Sequence, residues 1–97
     1  MADRFTPSIS YDVAINATPT STAAAQAISP CITTVRLACT QPCYVTFGFG
    51  TPVATKPGGM RLNAAYPEYF GCVPGQTVAV INDGTTAGVL TITEMNG

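Results

Sequence analysis

Apolar side chains recur at every second position in four segments of this chain, which favours strands over helices. In the segments 34–39, 43–49, 77–81 and 89–95 they alternate with polar or small residues. A period of two sends successive side chains to opposite faces of a strand. Proline, glycine and Asp-Gly turn signals separate these runs at intervals of about ten residues. The sequence predicts an all-β fold of seven or eight short antiparallel strands, in a sandwich or a barrel.

The chain has 97 residues, which limits it to one domain with one thin core. Residues 1–22 contain Pro7, Pro19 and a run of Thr and Ser, and proline lacks the N–H group that a ladder hydrogen bond needs. We therefore expect an extended N-terminal arm at 1–22, with at most one strand at 10–15. A single small β-sandwich domain at 23–97 follows it.

The alternation also predicts which side chains point inward. In each predicted strand the apolar positions share one face, and that face packs against the other sheet. The predicted core consists of Val35, Leu37, Val45, Phe47, Phe70, Val78, Val80, Leu90 and Ile92.

The chain has no histidine, which excludes Ser-His-Asp and Cys-His catalytic pairs and any imidazole metal ligand. Glu68 and Glu94 remain as a formal carboxylate pair on predicted strands. A thin sandwich of this size lacks the deep cleft in which glycosidases hold such a pair. We therefore expect no enzymatic activity, no cofactor and no small-molecule substrate.

Charge is scarce and scattered, which limits the partners of the protein. Four basic and five acidic residues give a formal net charge of −1, and the basic ones form no stripe for a phosphate backbone. No segment approaches the roughly 20 apolar residues of a membrane span, and the first residues lack the apolar run of a signal peptide. We expect a soluble protein with no nucleic-acid and no membrane partner.

The spacing of the four cysteines, Cys31, Cys39, Cys43 and Cys72, differs from the paired C-x2-C knuckles of zinc sites, so no metal site is expected. Cys39 and Cys43 flank a segment of three residues, the length of a hairpin loop. Across such a hairpin the two sulfur atoms lie within disulfide reach. Two interpretations stay open: a Cys39–Cys43 disulfide, or reduced thiols that act as small buried apolar groups.

In so uncharged a surface, the few outward charged or aromatic side chains are the candidates for contacts with other subunits. Outward arginines offer ion pairs between subunits, and tyrosine is enriched at interfaces. One arginine and one phenylalanine would anchor the arm. The candidate interface residues are Arg4, Phe5, Arg36, Arg61, Tyr66 and Tyr69.

The order of short motifs along residues 31–95 resembles that of small β-sandwich virion proteins of tailed bacteriophages. The motifs are Arg36-Leu37, Cys43-Tyr44-Val45-Thr46-Phe47-Gly48, Pro67-Glu68-Tyr69-Phe70, Val73-Pro74-Gly75, Val78-Ala79-Val80-Ile81 and Thr93-Glu94-Met95. The resemblance implies a jelly-roll-like sandwich and a non-enzymatic capsid decoration (cement) protein on the surface of the virion, made in the host cytoplasm. Its implied partners are the major capsid protein and copies of itself, as a dimer or trimer.

Two alternative functions remain open. Within the virion, the chain could be a head-tail adaptor or a minor tail protein. In a different class, it could be a small carbohydrate-binding module with Tyr44, Tyr66 and Tyr69 as the platform for a sugar ring. The lack of tryptophan counts against this second alternative.

Overall fold

The computed structural model describes residues 6–18, 20–55 and 59–96, which form strands and connections. The strands are β1 (Thr6–Ile15), β2 (Thr22–Ala23), β3 (Thr34–Cys39), β4 (Cys43–Gly48), β5 (Met60–Leu62), β6 (Glu68–Gly71), β7 (Thr77–Asn82) and β8 (Gly88–Asn96). The described ranges contain no helix that is long and apolar enough to cross a membrane. The predicted all-β class is confirmed.

The eight strands form two four-stranded sheets. The first sheet has the order β1-β8-β3-β6 and the second has the order β2-β7-β4-β5, and all neighbouring strands are antiparallel. The pairs β1–β8, β2–β7, β3–β6 and β4–β5 are nested along the chain, as if one long hairpin were wrapped around the core. This is the winding of a jelly roll, so the predicted jelly-roll-like sandwich is confirmed.

β1 is an integral edge strand of the first sheet. It pairs with β8 along its length, with one bulge after Pro7, and its inward side chains Val13 and Ile15 are 3% and 1% exposed. The strand expected at 10–15 is present and begins earlier, at Thr6, so this part of the expected arm belongs to the sandwich. The strand forms because its apolar residues alternate toward the core. An edge strand tolerates proline because one of its sides has no ladder partner.

The connection between Cys39 and Cys43 crosses from one sheet to the other. β3 belongs to the first sheet and β4 to the second, so the expected β3–β4 hairpin is wrong. β3 pairs instead with β6 and β8, and β4 pairs with β5 and β7. A period of two predicts which side chains point inward, but it does not specify which sheet the strand joins.

The core lies between the two sheets and contains most of the predicted side chains. All seven predicted aliphatic residues are at most 1% exposed. Phe47 and Phe70 are only partly buried, and their rings contact each other with centroids 6.0 Å apart and planes tilted by 52°. The core further includes Val13, Ile15, Ala24, Ile28, Ile32, Cys39, Cys43 and Leu62.

Candidate interaction surface

The outward side chains of the first sheet form a face of small, mostly uncharged residues. They point away from the core because successive side chains of a strand alternate between its two faces. Most of them are exposed or half-buried, whereas Met95 at the end of β8, on the same side as Thr93, is 4% exposed. We call this surface the open face, and it consists of Ser10, Asp12, Ala14, Arg36, Ala38, Tyr69, Val89, Thr91 and Thr93.

Two rows of side chains cross the open face from strand to strand. The rows join residues that are paired on neighbouring strands, and they are Ser10–Thr93–Arg36–Tyr69 and Asp12–Thr91–Ala38. The hydroxyls of Ser10 and Thr93 share a hydrogen bond of 2.9 Å. The hydroxyl of Thr91 donates to Oδ1 of Asp12, also at 2.9 Å. These bonds hold short side chains against the sheet, so this part of the face is nearly flat. Because the side chains are already ordered, they lose little conformational entropy when a partner binds.

The open face carries one acid, Asp12, and one base, Arg36. They lie on β1 and β3, which are separated by β8, and in different rows. Strand and residue spacings put their Cα atoms about 12 Å apart, beyond the reach of a direct ion pair. No ion pair of Arg36 is found in the described part of the chain.

The second sheet differs because the connection between β4 and β5 covers its outer face. Ala54 in this connection is 1% exposed, and its N–H donates to Oγ of Ser21 at 2.8 Å. Ala79 points outward from β7, opposite the core residues of that strand, yet it is 0% exposed. Pro52 lies over Gly48, where an added Cβ would approach the proline Cβ to 3.0 Å. The outer face of the second sheet is thus packed against its own chain.

The structure separates the predicted interface residues. Arg36 and Tyr69 are register partners of β3 and β6, so both lie on the open face. Arg61 lies on β5 in the second sheet, where its Nε donates to Oδ2 of Asp83 at 3.0 Å. Tyr66 is 68% exposed in the connection before β6. The remaining two, Arg4 and Phe5, lie outside the described residues.

The tyrosines expected to form a sugar platform do not share a surface. Tyr44 pairs with Ile81 and Arg61 and therefore lies on the outer face of the second sheet. Tyr69 lies on the open face of the first sheet. Since the core separates these two faces, the rings cannot contact one ligand together.

Glu94 is the one buried acid of the described residues, with 0% exposure. Its Oε2 accepts a hydrogen bond from the backbone N–H of Ser29 at 3.0 Å and a longer one from the hydroxyl of Tyr11 at 3.3 Å. Oε1 has no hydrogen-bond partner among the described residues. Burial, together with the neighbouring Glu94 charge, raises the pKa of Tyr11 above its usual value. Glu68 is exposed on β6, so the two acids do not form a pair that a substrate could reach.

The four cysteines are free thiols, and only Cys31 is exposed. Burial raises the pKa of Cys43 to about 12. Burial also raises the pKa of Cys39, although a hydrogen bond from Cys43 partly offsets the effect. Burial and then the charge of Glu94 raise the pKa of Cys72. These are the properties of thiols that act as small core groups, since it is the thiolate that is nucleophilic.

The described ranges contain neither a cavity nor a cluster of three or more His, Cys, Asp or Glu side chains that could hold a metal ion. The open face is thus the feature with the clearest capacity for recognition. Comparison of the chain with models of protein families, with curated proteins and with solved structures found no match.

Proposed function

We propose that the protein is a non-enzymatic structural protein of a bacteriophage virion, a capsid decoration protein that binds the assembled head shell. The observation that carries the proposal is the open face, a sheet surface of small side chains with one acid and one base. Depletion of charge is typical of the centre of protein interfaces. The motif order along 31–95, with its resemblance to phage virion proteins, supplies the kind of assembly.

The protein would act by mass action. A protein that binds the assembled shell, and not its dissociated subunits, stabilises the shell by the free energy of binding at each site. At a free concentration 100 times the Kd, each site contributes about 2.7 kcal/mol. Repetition of the site over the shell multiplies this effect, so a moderate affinity per copy is sufficient.

A head-tail adaptor or minor tail protein would use the same kind of surface at a different place in the particle. The number of copies distinguishes these positions, because decoration follows the copy number of the shell protein. The carbohydrate-binding alternative is disfavoured by the separation of Tyr44 and Tyr69 on opposite faces.

Quantitative mass spectrometry of purified phage particles tests the proposal. We expect the protein in a fixed, high ratio to the shell protein. Particles stripped of it should lose thermal stability, and the purified protein should restore that stability. Absence from particles, or a few copies at a single vertex, would overturn the decoration role.

Matched variants connect this test to the open face. Thr93→Arg places a large charge at the centre of the face. The concentration of this variant that restores shell stability should be at least tenfold higher than that of the wild type. Thr85→Arg adds the same charge to an exposed connection between β7 and β8. It should restore stability like the wild type. If both variants restore shell stability at the same concentration, the open face does not contribute to the binding of the shell.

A further inference from the structure

We propose that the open face is a homodimer interface in which Asp12 of each copy contacts Arg36 of the partner subunit. The inference rests on the proposed function for its biological purpose and deepens it by assigning the open face to a second copy of this chain. The dimer then binds the shell through other parts of its surface, so an open-face variant such as Thr93→Arg weakens shell binding by separating the two copies.

The first argument is that the charges of the open face are not neutralised by each other within one chain. Arg36 is half-buried on β3, with no ion pair in the described residues. Asp12 is exposed on β1, and within the described ranges its one side-chain hydrogen bond is accepted from the hydroxyl of Thr91. A carboxylate can accept further hydrogen bonds, and the planar guanidinium of arginine matches it in a bidentate pair.

The second argument is the symmetry of the charge pattern. In a two-fold dimer the same patch faces itself, so an acid on the patch must meet a base on the same patch. A two-fold axis parallel to the sheet places each Asp12 over the partner's Arg36 when it passes over β8 midway between the two charges and is perpendicular to the line that joins them. Two ion pairs form at once. A face with a single charge, or with two acids, would repel its own copy.

The third argument is shape and area. The strands β1, β8, β3 and β6 have ten, nine, six and four residues, which gives a footprint of about 460 Å². That is of the same order as the roughly 800 Å² per partner of a standard interface. The small side chains between the charges, Ala38, Thr91 and Thr93, allow two sheets to approach closely over this area. The second sheet offers no equivalent surface because its own chain covers it.

Charge reversal tests the pairing directly. The wild-type chain has a mass of 10.0 kDa, and sedimentation equilibrium at about 100 μM should give twice that mass. Asp12→Arg and Arg36→Asp should each raise the dimer Kd by at least tenfold, because each brings like charges together twice. An equimolar mixture of the two variants should form a heterodimer, since both contacts are then Arg–Asp pairs again.

The double variant D12R/R36D should also dimerise, because it exchanges the two charges without changing the pattern. Thr85→Arg is the matched control and should remain dimeric. Circular dichroism checks that each variant is folded. Arg36→Asp leaves the Asp12–Thr91 hydrogen bond intact. It therefore still tests the proposed ion pair if Asp12→Arg does not fold.

A monomeric wild type, dimeric single variants or a mixture that stays monomeric would each overturn the proposed interface. The experiments distinguish failure of the proposed dimer from failure of the proposed decoration role. A monomeric wild type that still restores the stability of stripped shells would contradict the dimer alone. A charge-dependent dimer that never associates with particles would contradict the decoration role alone.

Discussion

Cys39 and Cys43 lie on strands of different sheets, yet their thiols are part of one core and each alters the pKa of the other. The three residues between them are just enough for the chain to cross from the first sheet to the second. The two sulfur atoms are therefore neighbours across the core rather than across a hairpin. A disulfide at this place would join the two layers of the sandwich, which is a different role from closing a turn.

The accessibility of the thiols predicts how they react. In the folded protein a thiol reagent should modify Cys31 rapidly, Cys72 slowly, and Cys39 and Cys43 only on unfolding, following their burial. A time course with mass spectrometry measures this order, and Cys31→Ala should remove the fast phase. A total of two free thiols after denaturation, instead of four, would show that Cys39 and Cys43 are oxidised to a disulfide.

Alkaline pH should destabilise the fold through Cys43. Its pKa is raised from an ordinary 9.0 to about 12, so between these values the unfolded chain releases a proton that the folded chain retains. The contribution of this thiol is complete below pH 9 and is lost as the pH rises toward 12, at about 1.4 kcal/mol per pH unit. Urea unfolding from pH 8 to 11 measures the decline.

The matched variant for this experiment is Cys43→Ala, which lacks the titrating group. Its decline should be shallower than that of the wild type, although not absent, because the raised pKa of Tyr11 acts in the same direction. Parallel curves for Cys43→Ala and the wild type would contradict the assignment.

Ile15 tests whether β1 belongs to the sandwich. Since this side chain is 1% exposed, Ile15→Ala should lower the free energy of unfolding by about 2 to 5 kcal/mol, and Ile15→Val by about 0.5 to 1.5 kcal/mol. Ala14→Ser, at the exposed neighbouring position, is the control and should change it by less than about 0.5 kcal/mol. An Ile15→Ala protein as stable as the control would mean that the strand contributes nothing to the core.

Glu94 should prove costly to truncate. Glu94→Ala leaves the Tyr11 hydroxyl and the Ser29 amide without their acceptor and opens a void, which should cost about 3 kcal/mol or more. Glu94→Gln keeps an oxygen and the volume and should cost about 1 to 2 kcal/mol. Glu68→Ala removes an exposed acid and should be nearly neutral. Denaturant unfolding of the three variants tests this order, and equal losses for Glu94→Ala and Glu68→Ala would refute it.

The sequence predicted the core well wherever the alternation was regular. Val35 and Leu37 are buried as expected, because a strand with one apolar face removes that face from water by turning it toward the core. Ile28 and Ile32 belong to the core but lie in the connection between β2 and β3, where no period marks them. Periodicity alone therefore misses apolar residues that irregular segments deliver to the interior.

The alternation of apolar and polar residues did not predict which polar side chains are buried. Asn82 is 1% exposed, and its amide donates to the carbonyls of Asn16 at 2.9 Å and Thr86 at 2.7 Å. Its Oδ1 accepts from the N–H of Gly84 at 2.7 Å. Burial of such a group depends on partners from separate loops, and nothing in the sequence around Asn82 or Glu94 specifies them.

The open face was predicted in part. Arg36 and Tyr69 were identified as outward residues, and the structure makes them neighbours. Asp12 was missed because its importance comes from long-range register: β8 lies between β1 and β3 and sets the offset of the two charges. That register depends on pairing between residues far apart in the chain, which alternation does not encode.

The place of β8 between β1 and β3 also determines when the protein can fold during its synthesis. Ile15 pairs with Gly88, 73 residues further along (88 − 15), and among the described strands β8 is the only ladder partner of β1. The ribosome must therefore release β8 before Val13 and Ile15 can be covered. Closing so long a loop is entropically costly and slows folding. The nascent chain consequently carries an uncovered apolar strand until β8 has emerged, and the open face exists only once that strand has been paired.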